Sequence, residues 1–376
     1  MARKYGKKNI VKVDPLAYNI GLFGLGGIGK TTLLIEMCEK LVGEDGYLHF
    51  NIGREKGVDA IQGAMSEDVP DWVTFNDIIN DILDNKGTDY KDLRVVLLDT
   101  LDELEKLGEK EVIRLHNKQH KTKISSFNKA FGGFNRPRDM LSELILESID
   151  KLKSVGVTVI IVGHVKRKTQ TDPVSMIDYD VITAKCSNRL FEDIKTKLDV
   201  LGLGIIKRDV NTEVIGQNIV GKDITINNTK NEKRVITFRD DNYTIESKSR
   251  FADIINEIPF DTNEFIKAIT DAIEKAFNKR PIGKTFKQAE KEQKKEFENK
   301  VKQNIEEIKK QKEFERLGDK SEIIQEIRDL FSQAEDEKKQ SVIEAMKKID
   351  CKNFDLLENE DYEVIVNILN LIKESE

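Results

Sequence analysis

Cysteine is scarce. Three residues, Cys38, Cys186 and Cys351, are scattered through 376. They form no disulfide framework and no metal-ligand spacing, which fits a reducing compartment. Long apolar runs are missing as well. No stretch of eighteen apolar residues occurs, so no membrane-spanning helix is expected. The basic start, Met1 to Lys8, is not followed by the apolar stretch of a signal peptide. These absences together predict a cytoplasmic protein with no membrane association. An excess of positive charge is lacking too: 62 Lys and Arg stand against 68 Asp and Glu, a net charge of −6. That excludes a generally basic DNA-coating protein but leaves room for a local basic surface. No internal repeat is visible.

Charge itself is abundant, at 35% of residues against about a quarter in an average globular chain. Most of the excess lies in the last third. The length suits one large domain with an appendage, or two domains. Residues 24 to 31 read Gly-Leu-Gly-Gly-Ile-Gly-Lys-Thr, a complete G-x-x-x-x-G-K-[ST] phosphate-binding loop. An apolar strand, Tyr18 to Phe23, precedes it, and a helical apolar pattern, Thr32 to Cys38, follows. Gly24, Gly26, Gly27, Ile28 and Gly29 would turn backbone N–H groups inward around a polyphosphate at the positive end of the new helix, with Thr32 in its first turn. Lys30 would reach the β- and γ-phosphates, and the Thr31 hydroxyl would ligate Mg²⁺. A bound nucleoside triphosphate, ATP, is the expectation.

Apolar β-branched runs alternate with helical patterns from about residue 17 to 210. Expected strands are Ala17–Phe23, Tyr47–Ile52, Trp72–Phe75, Val95–Asp99, Val157–Gly163 and Val200–Ile206. Uninterrupted apolar strands belong in sheets covered on both faces, so the chain predicts an α/β fold with a mostly parallel sheet. Two extended segments, Asp223–Asn227 and Arg234–Phe238, with further extended residues up to Ser247, suggest an antiparallel edge or hairpin. Beyond Phe251 the pattern is helical. Thr262–Phe277 is amphipathic with Asp261 or Thr262 as cap, residues 286 to 316 form a highly charged helix, and three short helices close the chain (Ile323–Ala334, Gln340–Ile349, Tyr362–Ile372).

A Mg²⁺-triphosphate site needs a second carboxylate, and the strand Val95–Leu98 ends in one, Asp99. Asp102 and Glu103 follow. Either they are acids favoured at a helix N-terminus, or they act on water at the site.

This order of parts resembles the RecA-like ATPase core, and in particular the Sak-type recombination ATPases of bacteriophages, which carry an AAA-type domain. The resemblance rests on Gly24–Thr31, on Val95–Asp99 with Thr100, on Val157–Gly163 followed by His164, and on Lys248-Ser249-Arg250. It covers about residues 15 to 252 and implies ATP hydrolysis in a bacterial host's cytoplasm. It assigns Glu55, after the second strand, to polarising the attacking water, and His164 to sensing the γ-phosphate. It assigns Lys248 and Arg250 to reaching the phosphate of a neighbouring subunit, in a filament or ring. A solvated basic turn is the alternative for that pair.

From Val112 to Arg138 there is no acid, but Arg114, Lys118, Lys121, Lys123, Lys129, Arg136 and Arg138 alternate with Phe127, Phe131 and Phe134. Cations beside aromatic rings suit sequence-tolerant single-stranded DNA binding, or the rings pack under a long loop. The RecA-like resemblance places one DNA-facing loop here and another at Lys166-Arg167-Lys168. His116 and His120 lack a third ligand nearby, which discounts a metal.

The expected organisation is a basic arm (1–14), a RecA-like ATPase domain (15–252), a helical linker with the charged helix (253–317) and a helical module (318–376) that binds a protein partner, spaces subunits or only adds solubility. Two relatives compete. ParA-like ATPases carry a signature lysine where Leu25 stands. NB-ARC-type signalling NTPases share the loop but usually have paired aspartates where this chain has Asp99-Thr100. A hexameric helicase-type motor would use the same core. A nucleotide-dependent assembly switch is the alternative of another class.

Overall fold

The computed structural model describes residues 9–53, 57–217, 223–239, 248–280, 283–317, 320–349, 351–359 and 362–373. Glu55, and the extended residues expected at 240–247, lie outside them. Strands are β1 (Ile20–Gly24), β2 (Tyr47–Ile52), β3 (Ser66–Val69), β4 (Val95–Asp99), β5 (Thr158–Thr171), β6 (Asp178–Ala184), β7 (Val200–Gln217), β8 (Asp223–Thr237), β9 (Lys248–Ser249) and β10 (Glu257–Pro259). Helices are α1 (Lys30–Val42), α2 (Trp72–Asn85), α3 (Leu101–His120), α4 (Arg136–Ser154), α5 (Asn188–Lys197), α6 (Thr262–Asn278), α7 (Phe286–Leu317), α8 (Lys320–Gln333), α9 (Asp336–Lys348) and α10 (Tyr362–Lys373).

The sheet order is β10-β8-β7-β1-β5-β4-β2-β3. Strands β7, β1, β5, β4, β2 and β3 run parallel to one another, while β8 and β10 extend one edge antiparallel. This is the expected α/β class, with a mostly parallel core. Its central strands are fully buried: β1 and β4 expose no residue, because helices cover both faces. Ile20, Leu22, Leu34, Val95, Ile160 and Val200 share one core with Phe265, Ile269 and Ile273 of α6. Thr262 donates to Glu36, and Lys40 to Asn263, fixing α6 on α1. Residues 253–278 are therefore part of this core and not of a linker.

Three expected boundaries are corrected. Trp72–Phe75 opens α2 and is not a strand. Asp71 caps it by accepting from the Thr74 N–H, and Trp72, Phe75, Ile79 and Ile82 recur at helical spacing on the buried face. The strand there is Ser66–Val69. Val157–Gly163 does not end at the sheet: β5 runs on to Thr171 and pairs antiparallel with β6 as a hairpin. Asp223–Asn227 and Arg234–Phe238 are one strand, β8, laid along β7.

The chain divides into two compact units, Met1–Lys302 and Gln303–Glu376, so the boundary falls inside the charged helix. In the first unit, Gln293 of α7 binds the backbone of Val11 and Val13, holding the end of the N-terminal arm. The second unit has its own core of Ile323, Ile327, Val342, Leu357, Ile365 and Leu369. Among the described residues, no helix is long and apolar enough to cross a membrane.

Candidate functional site

The phosphate loop leaves β1 at Gly24 and enters α1 at Lys30. Gly27 (φ 73°) and Gly29 (φ 104°) take the left-handed conformations that let the chain curl back on itself. No side chain caps the first turn of α1. Its leading N–H groups thus face the loop, the arrangement that a phosphate satisfies. Lys30 is buried and donates to the carbonyls of Gly24 (3.2 Å) and Leu25 (2.9 Å), which keeps its ammonium inside the loop. A phosphate oxygen would replace those acceptors.

Asp99 stands at the carboxyl end of β4, two strands from β1. The Thr31 hydroxyl donates to its Oδ2 at 2.6 Å, and the His49 Nε2 lies 3.2 Å from the same oxygen. Two oxygen donors from separate elements therefore meet at one point, the hard donor set that Mg²⁺ prefers. His49, buried on β2, places its Nδ1 2.9 Å from Ser66 Oγ. A carboxylate only accepts, so Nε2 carries the proton toward Asp99 and the ring holds that carboxylate in one orientation. The sequence reading missed His49, whose partners lie on other strands.

His164 does not cap a strand. It lies within β5, at the root of the β5–β6 hairpin, and sits opposite Gly24 where the phosphate loop begins. Asp102, in the first turn of α3, accepts from the His164 backbone N–H (3.1 Å), contacts its Nδ1 (3.2 Å) and pairs with Lys185 (3.3 Å). Burial pushes the Asp102 carboxyl up, but hydrogen bonds and charge from His164, with charge from Lys185, outweigh it and hold the group below the usual carboxylate range. Asp102 is thus the anchor of the hairpin root. One turn on, the Glu105 carboxylate accepts from the Ser187 N–H.

Glu103 turns the other way. A Cβ built on Gly53, just after β2, would lie 2.8 Å from Glu103 Oε2, so this acid stands at the carboxyl end of β2. A Cβ at Gly57 would lie 3.7 Å from the Thr31 hydroxyl, which brings the chain after β2 near the same point.

Lys248 and Arg250 are not gathered with these groups. Strand β9 pairs with Val200 and Leu201, at the amino end of β7 and so at the opposite end of the sheet from the loop. Lys248 donates to the carbonyls of Lys195 and Thr196, and Arg250 to Thr196 and Asp199. Both close the C-terminal end of α5.

The basic candidates lie on the carboxyl side of the sheet. Helix α4 begins there, where Asp139 pairs with Arg189 at the start of α5, and returns to the foot of β5. Lys121, Lys123 and Lys129, before it, and Arg136, its first residue, are exposed. The three phenylalanines differ. Phe131 packs its edge against His116 and His120 and donates its backbone N–H to His116 Nδ1, Phe127 is half-buried, and Phe134 is 94% exposed. In the hairpin, Arg167 is paired with Asp180 across the ladder. Lys166 and Lys168 share the opposite face with His164, Tyr179 and Lys185.

No curated protein matches the chain. Among solved structures, the flagellar accessory protein FlaH from Methanocaldococcus jannaschii is similar, at 9% identity and a TM-score of 0.31, over 67% of this chain and 95% of that one. The family model described as an AAA domain matches residues 16–251, which runs from just ahead of β1 to the residue after Arg250. A match over more than half of the chain, on a core holding a phosphate loop and a strand-end aspartate, shows that the chain belongs to this AAA-domain family, AAA_24.

Proposed function

We propose that this P-loop NTPase domain binds Mg²⁺-ATP at the carboxyl ends of β1, β4 and β5 and hydrolyses it while engaged with single-stranded DNA, in recombination or replication. The observation that carries the reading is the meeting of Thr31 and Asp99 beside a phosphate loop whose helix has no cap of its own. Lys30 and the amides of α1 hold the β- and γ-phosphates, and Thr31 and Asp99 hold the metal. Bound Mg²⁺ supplies positive charge that offsets what develops on the phosphates. An acid, Glu55 or Glu103, orients the water that attacks the γ-phosphorus in line, and the leaving group departs as ADP. Most of the acceleration comes from this fixed electrostatic positioning.

DNA as the partner is supported by two basic elements on the same edge of the sheet, 121–136 and the hairpin face of Lys166 and Lys168. Phe134 offers a bare ring for base stacking. The hairpin shares its root, His164 and Lys185, with Asp102, and thereby gives DNA a mechanical route to the γ-phosphate side. Assembly as a filament or ring is part of the same reading, with Lys248 and Arg250 reaching a neighbour's phosphate, because their position far from this chain's own loop leaves them no role on it. Phosphate release measured with and without single-stranded DNA tests the reading. Turnover should rise with DNA. Hydrolysis that ignores DNA would remove the DNA partner and favour an assembly switch or a signalling NTPase.

A further inference from the structure

The sheet order fixes which way a triphosphate runs in the loop. Asp99 on β4 and His164 on β5 lie to one side of β1, so the γ-phosphate points there. The nucleoside must then emerge on the other side, toward β7, β8 and β10. At that place stands Phe260, directly after β10 and half-buried.

Its ring lies over the loop. A Cβ built on Gly29 would meet Phe260 Cε1 at 3.5 Å, and one on Gly204 would meet Cε2 at 2.9 Å. Gly204 of β7 pairs with Gly24, so the ring spans from that point of β7, level with the start of the loop, to the residue before Lys30. The position is fixed from three directions. The Phe260 N–H donates to the Arg234 carbonyl (3.0 Å), and the Arg234 guanidinium reaches the Ile28 carbonyl (3.4 Å). Thr262 and Asn263, just beyond, are bonded to Glu36 and Lys40 of α1.

We propose that Phe260 is the platform on which the nucleoside base of the bound triphosphate stacks. Stacking reads the π-face of a base, which suits a half-exposed ring fixed beside a phosphate site. This rests on the nucleotide reading above and adds the residue that separates a nucleotide from a bare polyphosphate.

The test compares equilibrium binding of ATP and of inorganic tripolyphosphate, each with Mg²⁺. Phe260→Ala should weaken ATP about tenfold, by the usual worth of one base–aromatic stack, and leave tripolyphosphate unchanged. Retained tripolyphosphate binding also shows that the variant folds. Phe260→Trp gives a direct signal, since Trp72 is the only native tryptophan and wild type supplies the baseline. Its emission should change with ATP and not with tripolyphosphate. Unchanged ATP affinity in Phe260→Ala, equal loss of both ligands, or a silent Phe260→Trp would overturn the platform while leaving the phosphate site standing. Wild type that binds neither ligand would overturn the nucleotide reading itself.

Discussion

Asp102 illustrates how much a single residue can carry. Buried in the first turn of α3, it is bonded by His164 and paired with Lys185. Its folded-state pKa is depressed, so it contributes stability that is fully present above the ordinary carboxylate range and is lost as pH falls through its lowered value. Asp102→Asn should therefore cost about 2 kcal/mol at neutral pH, the scale of hydrogen bonds to a charged group. The gap between wild type and variant should shrink in acid. Urea unfolding at about pH 7 and about pH 3 reads this directly, on either side of the ordinary carboxylate pKa. A gap that is unchanged in acid would mean that the charge of Asp102 contributes nothing. Lys30, Thr31 and Asp99 were legible in the sequence because their chemistry is written in contiguous residues: a loop of fixed spacing and an acid that ends an apolar strand. His49 was not, since its meaning lies in Asp99, fifty positions away on another strand. Asp102 was visible as an acid at a helix start, but its partners His164 and Lys185 arrive through the β5–β6 hairpin, which local pattern does not announce.

At the level of elements, strand and helix identity followed the burial pattern closely where both faces are covered. Val95–Asp99 needed no correction. Trp72–Phe75 misled because four residues of β-prone aromatic and branched character are too short to reveal a period. The capping Asp71 was the missed signal. The hairpin of β5 and β6 was missed because its outer part, Lys166 to Asp180, is mostly polar and exposed, and a stretch with no buried face leaves no alternation to read. Its two faces make a prediction possible. Arg167 is engaged by Asp180, whereas Lys166 and Lys168 lie on the face shared with His164. Lys166→Glu with Lys168→Glu should abolish DNA stimulation of hydrolysis while leaving basal turnover in place, and Arg167→Ala should have the smaller effect. Titration of phosphate release against single-stranded DNA checks the order. A dominant effect of Arg167→Ala would reverse the assignment of faces.

The whole molecule combines an AAA-family core with a separate helical unit, and α6, expected outside the core, completes it. Domain limits were the least legible feature, because a charged helix such as α7 has the same composition on both sides of residue 302. If Arg250 reaches a neighbour's phosphate, Arg250→Ala should keep ATP binding nearly intact while lowering turnover about a thousandfold, the order expected for a lost arginine finger. Turnover per wild-type chain should also climb with protein concentration. Loss of ATP binding in the variant would instead show that its bonds to Thr196 and Asp199 are what matter. All of these readings rest on hydrolysis of a nucleoside triphosphate at the phosphate loop with Thr31 and Asp99. Phosphate release from Mg²⁺-ATP by wild type and by Lys30→Ala measures it most directly. Steady release by wild type that falls to background in Lys30→Ala is the predicted result, and equal rates in the two proteins would contradict it.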